Sequence, residues 1–223
     1  MPKMQIRKGK RMLLYMLTDE NDKTRECCWG ESITHDVPDS NDLHTSYWIY
    51  AYIDPLLAVM MNPICDRYDL SKAHLWQCEG EIGIYYGTRV GCTELTTIEH
   101  IPVPKVTITQ RITFAILVSL KVYDELNYVN WAKRWLSGED RGVEAAQAMA
   151  GAASSGRSWT SNVGAAGAAV RSAAWEERSA VWSARAVAWA ARAVREEAEA
   201  KWTAWTNQKL DLATLAQKAL VGC

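Results

Sequence analysis

The sequence predicts an α+β protein, with a mixed β/α N-terminal head in residues 1–104 and an all-α, Ala/Trp-rich region in residues 105–223. Three observations support this division. The head contains short apolar segments separated by Gly, Asn and Asp, which is the pattern of strands and turns. Alanine, the strongest helix former, supplies about a third of residues 143–223. Tryptophan then recurs every seventh residue between 175 and 189, which is a helical period.

Four segments of the head have the composition of strands, and one has the signals of a helix start. The predicted helix covers 54–62, because Asp54 is a good N-cap and Pro55 fits the first helical position. The glycine-containing segment "GIYYGTRVG" (83–91) has neither the lysine of a P-loop nor the glycine spacing of a dinucleotide-binding motif. Its glycines indicate a hairpin instead. The predicted strands are 11–17, 26–30, 73–82 and 93–101.

Capping signals divide the first half of the helical region. Thr107 and Gln110 have the spacing of a capping box at a helix start. A second helix is predicted over 125–136, with Trp131 and Trp135 on one face because they lie four residues apart. Gly138 is placed to end this helix and Asp140 to cap the next.

The alanine-rich remainder predicts long helices. The Gly/Ser-rich stretch at 151–158 predicts a break. A single helix is then predicted from 161 to 207, about 70 Å long at 1.5 Å per residue. Within it, the spacing of Gly164 and Gly167 indicates close helix packing. A shorter amphipathic helix is predicted over 210–220.

Arginine also recurs every seventh residue, and each arginine lies three or four residues from a tryptophan. Both spacings bring side chains together on a helix, and an Arg–Trp stack stabilises by about 0.5–2 kcal/mol. Between 180 and 194 the helix is apolar around most of its circumference, so we expect other helices or a second chain to cover it. The arginines either serve this stacking alone or bind phosphate or an acidic protein surface. The predicted core or interface residues are Trp175, Trp182 and Trp189, and the predicted binding residues are Arg171, Arg178, Arg185 and Arg192.

The distribution of charge limits the classes of partner. A formal net charge of -1 argues against general binding to nucleic acid. Residues 1–104 carry ten Lys/Arg and fifteen Asp/Glu, whereas residues 105–223 carry fifteen and eleven. The two regions can therefore attract each other, or the second can hold a modest anion site.

No segment predicts a membrane span or an export signal. The best apolar run, 112–120, is far shorter than the roughly 20 residues that cross a bilayer. The basic start of the chain lacks the long apolar stretch of a signal peptide. Of the six cysteines, two are adjacent and four are widely scattered, and none has zinc-pair spacing. We therefore expect a cytoplasmic protein with reduced thiols.

Two polar clusters contain residues that serve as metal ligands or nucleophiles in other proteins. The first offers carboxylates and imidazoles in a polar loop, but such loops are usually turns, so no metal site is predicted. The second is the adjacent pair Cys27–Cys28, for which no motif supplies a general base. No residue is assigned a catalytic role and no cofactor is predicted. The loop residues considered as metal ligands are His35, Asp36, Asp39, Asp42 and His44.

Four stretches of the sequence carry a resemblance to known proteins. They are "IYAYIDPLLAVMMNPI" (49–64), "VGCTELTTIEHIPVPKVTITQRITFAIL" (90–117), "WAKRWLSGEDR" (131–141) and the Ala/Trp/Arg tail. Together they resemble uncharacterised phage, prophage and bacterial proteins with an α/β head and a helical tail of Trp-Ala-Ala-Arg type. The resemblance implies a phage or prophage setting, in which small cytoplasmic proteins often block host defences.

The leading functional hypothesis is a non-enzymatic interaction protein that self-associates through its Trp/Ala helices. It would also bind a host factor, as an inhibitor of host defence. Its expected partners are therefore a second copy of the chain and a host protein, with neither nucleic acid nor membrane. One alternative is a protein that sequesters a nucleotide or small anion between the acidic head and the basic tail. The other is an enzyme with an unrecognised site in the head.

Overall fold

The computed structural model describes residues 11–24, 27–36, 48–154, 160–175, 178–200 and 210–221. Of these residues, 50% are in helices and 25% are in strands. Because the sheets are antiparallel, the fold class is α+β. The chain divides into two compact units, Met1–Pro104 and Lys105–Cys223. Within the described residues, every helix is too short or too polar to cross a lipid bilayer.

The N-terminal unit is built on one antiparallel sheet of five strands. A long hairpin of two twelve-residue strands, β6 and β7, forms its middle. Strand β1 pairs with β6, whereas β4 and β5 pair with different parts of β7. Two short strands, β2 and β3, form a separate sheet. The strands are β1 (Arg11–Thr18), β2 (Lys23–Thr24), β3 (Cys27–Cys28), β4 (Thr34–Asp36), β5 (Ile49–Ala51), β6 (His74–Tyr85) and β7 (Val90–Ile101).

Three of the four predicted strands are confirmed with small differences at their ends. The fourth, predicted at 26–30, extends only over Cys27–Cys28. The hairpin predicted at 83–91 is also confirmed, because β6 and β7 are joined there and Gly87 has a positive φ of 84°. Glycine adopts this left-handed conformation without steric cost.

Helix α1 (Pro55–Cys65) begins where the sequence predicts it. The Asp54 carboxylate accepts a hydrogen bond from the backbone N–H of Leu56 at 2.8 Å, and Pro55 occupies the first turn. The helix continues three residues past its predicted end and includes Pro63. Its residues 56–62 are all buried, and it packs against β1.

Glycines in the β6–β7 hairpin make room for a buried tryptophan. Trp48 is 5% exposed and precedes β5. A Cβ atom on Gly83 would lie 2.2 Å from Cζ3 of the Trp48 ring, and one on Gly91 would lie 3.1 Å from Trp48 Cβ. The absence of side chains at these two positions therefore determines where the indole packs.

The second unit contains six helices within its described residues. The capping box of Thr107 and Gln110 is confirmed, since each side chain accepts the other residue's backbone N–H. Gly138 ends α3 with a φ of 81°, as predicted. Asp140 does not cap α4 directly, because its carboxylate accepts the N–H of Gly142 in the preceding turn. The helices are α2 (Ile108–Ser119), α3 (Leu126–Ser137), α4 (Val143–Ser154), α5 (Ser161–Ala174), α6 (Ser179–Ala200) and α7 (Leu212–Val221).

The prediction of one continuous helix from 161 to 207 is wrong. Helix α5 ends at Ala174, where the cap residue Trp175 has a non-helical φ of -134° and ψ of 85°. Helix α6 begins at Ser179 and packs against α5. The chain thereby supplies the neighbour that an almost wholly apolar helix requires. Residues 201–207 lie outside the described residues, as do 155–158 of the predicted break. The first part of that break, 151–154, is helical and belongs to α4, so the prediction is wrong there.

Helix α5 is the centre of the helical unit. Seven consecutive residues, 164–170, are buried, so this helix is covered on every side. It packs against α2, α4 and α6. All seven residues are Gly, Ala or Val, and such small side chains allow neighbouring helices to approach closely.

We predict that Gly83→Ala destabilises the N-terminal unit by about 1–3 kcal/mol, because the new methyl group overlaps the buried Trp48 ring. Chemical denaturation of the full chain measures the change. Gly30→Ala is the control, since a Cβ at Gly30 meets only Ile33 at an ordinary 3.4 Å. Equal stability of the two variants would show that the Trp48 ring is free to shift.

Candidate functional site

Helices α5 and α6 form an antiparallel hairpin in which the step of seven residues has a structural meaning. The Arg171 guanidinium lies over the Trp182 ring, with Cζ 5.2 Å from the ring centroid. Gly164 lies seven residues before Arg171, and Trp189 lies seven residues after Trp182. These two positions also meet, because a Cβ on Gly164 would lie 3.0 Å from Cδ2 of Trp189. The heptad therefore sets the register between two helices.

The three tryptophans, which the sequence predicts as core or interface residues, differ in burial. Trp182 is half-buried and packs against the core of the helical unit. Trp175 and Trp189 are 44% and 36% exposed. The buried side of α6 is instead lined by small residues. These are Ser179, Ser183, Ala184, Ala186, Val187, Ala190, Ala191 and Val194.

The arginines stack on the indoles, largely as the sequence predicts. Arg185 lies over Trp182 with Cζ 4.8 Å from the centroid, and Arg192 lies over Trp189 at 5.4 Å. Both pairs have the predicted i,i+3 spacing. The partner predicted for Arg171 was Trp175, and this is wrong, because α5 ends there and Arg171 reaches Trp182 on the next helix.

Three exposed arginines continue along the surface beside these rings. Arg178 precedes α6, and Arg185 and Arg192 follow at the same step of seven residues. Arg192 also forms an ion pair with Glu196, with Nε 2.7 Å from Oε1. We call the surface formed by Trp175, Trp189, Arg178, Arg185 and Arg192 the Trp/Arg face.

A cleft in the helical unit bears on the anion-binding alternative. It has a volume of about 390 Å³ and lies between the end of α2, the start of α5 and the last turns of α6. Its lining includes Asp124, Glu196 and Glu197 beside Lys121. Hydrogen bonds from Ser161 and Arg192 hold the pKa of Glu196 below its ordinary value, so this carboxylate is charged at neutral pH. This lining is acidic and does not favour a phosphate ligand.

A second polar cluster lies at one end of the sheet in the N-terminal unit. The side chains of His74, Trp76 and His100 converge on one carboxylate oxygen, Oδ1 of Asp22. The distances to this oxygen are 2.8 Å from His74 Nδ1, 2.9 Å from Trp76 Nε1 and 3.0 Å from His100 Nε2. The hydroxyl of Thr18 is 3.3 Å from the same oxygen.

Strand register and a tight turn bring these groups together. His74 and Trp76 are two residues apart in β6 and therefore on the same face of the sheet. Trp76 is directly opposite His100 of β7, and their ring centroids are 3.7 Å apart. Asp22 lies in the turn between β1 and β2 with a φ of 55°, a left-handed conformation that aspartate tolerates better than most residues.

The surroundings of Asp22 favour its ionised form. Partial burial of the carboxyl raises its pKa, but the hydrogen bonds from His74, Trp76 and His100 outweigh this effect and hold the pKa of Asp22 below its ordinary value. The side chain of Asp22 is 25% exposed, and those of His74 and His100 are 38% and 44% exposed. The cluster therefore combines a carboxylate with two imidazoles that solvent reaches.

Sequence reasoning considered different metal ligands and missed these three. His35 and Asp36 lie in β4, where the His35 ring packs edge-on against Trp29 and its Nε2 is 2.9 Å from the carbonyl oxygen of Cys28. Asp39, Asp42 and His44 lie outside the described residues. A local pattern does not reveal the Asp22 cluster, because its members are separated by up to 78 residues.

The described cysteines are thiols of two kinds. Cys28 is exposed, and Cys27 and Cys65 are partly exposed. Cys78 and Cys92 are buried in the sheet core, and burial raises the pKa of each to about 12. Buried neutral thiols of this kind are unreactive.

Comparison of the chain with protein-family models, with curated proteins and with solved structures finds no match. The functional argument therefore depends on the geometry of the Trp/Arg face and of the Asp22 cluster.

We predict opposite effects for alanine at two glycines of α5. Gly167→Ala should stabilise by about 0.5–1 kcal/mol, because alanine favours a helix and its Cβ meets, at 3.2 Å, only the end of the long Arg171 side chain, which can shift by a few tenths of an ångström. Gly164→Ala should destabilise by about 1 kcal/mol, because it displaces the Trp189 ring. Thermal and chemical denaturation measure both changes.

A double-mutant cycle tests the cause of the second effect. In a Trp189→Ala background, Gly164→Ala should become stabilising, like Gly167→Ala. If Gly164→Ala stays destabilising without the indole, Trp189 does not occupy the space above Gly164.

We predict that the thiols differ in alkylation rate and that two of them weaken the fold at high pH. At pH 8, Cys28 should react with a soluble alkylating agent in the native protein, whereas Cys78 and Cys92 should react only after unfolding.

The two buried thiols should also make stability depend on pH. The pKa of Cys78 and of Cys92 rises from 9.0 to about 12 on folding, so their contribution to stability is complete below pH 9 and falls as the pH rises towards 12. Mass spectrometry of labelled peptides and denaturation between pH 8 and 11 give the two measurements. Rapid native labelling of Cys78 would contradict its burial.

Proposed function

We propose that this chain is a non-enzymatic interaction protein of the phage or prophage type. Its helical unit binds a host protein with an acidic surface through the Trp/Arg face. The observation that carries the proposal is the exposure of Trp175 and Trp189 beside arginines on the surface of the α5–α6 hairpin. Tryptophan and arginine are the residues most enriched among those that dominate binding energy at protein interfaces.

The charge of the Trp/Arg face supports an acidic protein rather than a second copy. Arg178, Arg185 and Arg192 are exposed along it, and residues 105–223 carry fifteen Lys/Arg against eleven Asp/Glu. A two-fold contact between two such faces would bring arginines of the same charge together. An acidic surface pairs with them instead, and guanidinium forks suit carboxylates.

The packing of α6 also weakens the argument for self-association. The sequence-based argument for an oligomer depends on apolar residues around the circumference of this helix. Ala186, Val187 and Ala190 are fully buried within one chain. The exposed apolar surface that remains on this face comes from Trp175 and Trp189. A homo-oligomer therefore stays a prediction with a smaller surface to support it.

The test compares two tryptophan variants with a control on another helix. Wild-type chain is immobilised, proteins retained from a bacterial host extract are identified by mass spectrometry, and the leading candidate is purified and titrated. We expect Trp175→Ala and Trp189→Ala each to weaken binding by about 2 kcal/mol, or roughly thirtyfold. Leu126→Ala is the control, because Leu126 is an apolar residue of α3 that is 69% exposed. It should leave affinity unchanged.

Further measurements separate the possible outcomes. Equal affinity of wild type and of both tryptophan variants, with folding verified by circular dichroism, would contradict the proposal. Light scattering tests the second copy: a dimer that the same two substitutions dissociate would make self-association, and not an acidic host protein, the use of this face. Replacing Arg178, Arg185 and Arg192 by Gln should weaken binding of an acidic partner and reduce its salt dependence.

A further inference from the structure

We propose that Asp22, His74 and His100 bind a divalent transition-metal ion, and that Zn²⁺ is the ion that suits them best. The site lies in the N-terminal unit and is independent of the Trp/Arg face. Its three ligand atoms are Asp22 Oδ1, His74 Nδ1 and His100 Nε2, which all lie within 4.8 Å of one another.

The distances fit ligands of a single ion. His74 Nδ1 and His100 Nε2 lie 2.8 Å and 3.0 Å from Asp22 Oδ1. Metal bonds to imidazole nitrogen and carboxylate oxygen are about 2.0–2.2 Å long, so the ligands of a tetrahedral ion are about 3.4 Å apart, and shifts of a few tenths of an ångström in these side chains would fit them to one ion. Two imidazoles and one carboxylate form a ligand set that suits Zn²⁺, Co²⁺ and Fe²⁺. Ca²⁺ and Mg²⁺ instead favour oxygen ligands.

A hydrogen-bond network alone gives a less satisfactory account of this convergence. Three ring nitrogens lie within 3.0 Å of Asp22 Oδ1 and the Thr18 hydroxyl lies 3.3 Å from it, whereas a carboxylate offers about four lone-pair sites over its two oxygens together. Both imidazoles would have to direct an N–H at the same oxygen. If an ion lies between them, each imidazole offers a lone pair instead, and Trp76 Nε1 remains the N–H donor to Asp22 Oδ1.

The groups around the three ligands have the arrangement of an outer shell. Trp76 Nε1 donates to Asp22 Oδ1 at 2.9 Å and so orients the carboxylate, and the Thr18 hydroxyl lies 3.3 Å from the same oxygen and 3.2 Å from the Asp19 carbonyl oxygen. Such partners hold ligands in position and tune metal affinity. Both imidazoles are more than a third exposed, which gives an ion access and leaves coordination positions for water.

The experiment titrates the purified full chain with Co²⁺ and follows the visible absorption bands of the bound ion. We expect one equivalent to bind, Zn²⁺ to displace it, and Zn²⁺ to raise the midpoint of thermal unfolding. His74→Gln and His100→Gln should each weaken Co²⁺ binding at least a hundredfold. Glutamine is used because its amide N–H can still donate to Asp22, so the variants retain a polar contact while losing a ligand.

Control variants make the assignment specific. His35→Gln removes an imidazole that is engaged with Trp29 and Cys28 and should leave affinity unchanged. Trp76→Phe keeps all three ligands and should weaken binding about tenfold through the loss of one orienting hydrogen bond.

Three results would overturn the proposal. One is no Co²⁺ or Zn²⁺ binding by the wild-type chain at a large excess of ion. Another is unchanged affinity in His74→Gln and His100→Gln. The third is a near-ultraviolet thiolate charge-transfer band with bound Co²⁺, which would assign the ion to cysteines such as Cys27 and Cys28. Because the readout is metal binding, it does not depend on the partner proposed for the helical unit.

Discussion

Between Gly164 and Val170, helix α5 carries no side chain larger than valine, and the packing of the helical unit depends on this. Small side chains allow α2, α4 and α6 to approach α5 closely. The aromatic residues that fill the remaining volume come from the neighbouring helices, among them Trp131 and Trp135 of α3 and Trp182 of α6. A large residue in α5 would separate these helices and remove several contacts together, so this stretch tolerates large side chains poorly.

The N-terminal unit depends on a different constraint, which is the register of its central strands. Thr18 is opposite His74 and Trp76 is opposite His100, so the side chains that surround Asp22 come from three adjacent strands. A shift of one residue in either pairing would turn alternate side chains to the other face of the sheet and disperse the cluster. The left-handed turn at Asp22 completes the arrangement, because it directs the carboxylate towards the strand ends.

Sequence reasoning succeeded where the signal is local. The Asp54 cap, the Thr107–Gln110 capping box and the stop at Gly138 involve residues within four positions of one another, and all three are confirmed. It failed at Trp175, because an alanine-rich stretch has the same helix propensity whether it continues or folds back. A period of seven residues fits a straight helix and an antiparallel hairpin equally well. Only the availability of a packing partner decides between them.

The Asp22 cluster shows the same limit in the sheet. His74 and Trp76 are two residues apart, and this spacing places them on one face of a predicted strand. The partner strand and its register determine that His100 joins them, and Asp22 is 52 residues from His74. The chain contains only four histidines, and two of them, His74 and His100, lie near the ends of predicted strands. Their rarity could have drawn attention to them as possible metal ligands. That signal becomes specific only when strand pairing is known.

The exposed tryptophan area sets a limit on what the Trp/Arg face can do without its arginines. An indole side chain offers up to about 250 Å², so 44% of Trp175 and 36% of Trp189 leave about 200 Å² to bury. At about 25 cal/mol per Å² this contributes about 5 kcal/mol, which is no more than the low end of the cost of association, about 4–15 kcal/mol. A stable complex therefore needs further contacts, which the exposed Arg178, Arg185 and Arg192 can supply. Since Arg185 and Arg192 are already held against indoles, they lose little side-chain freedom on binding. The salt dependence of partner binding thus measures whether these cations contact the partner, which the stability of the hairpin does not reveal.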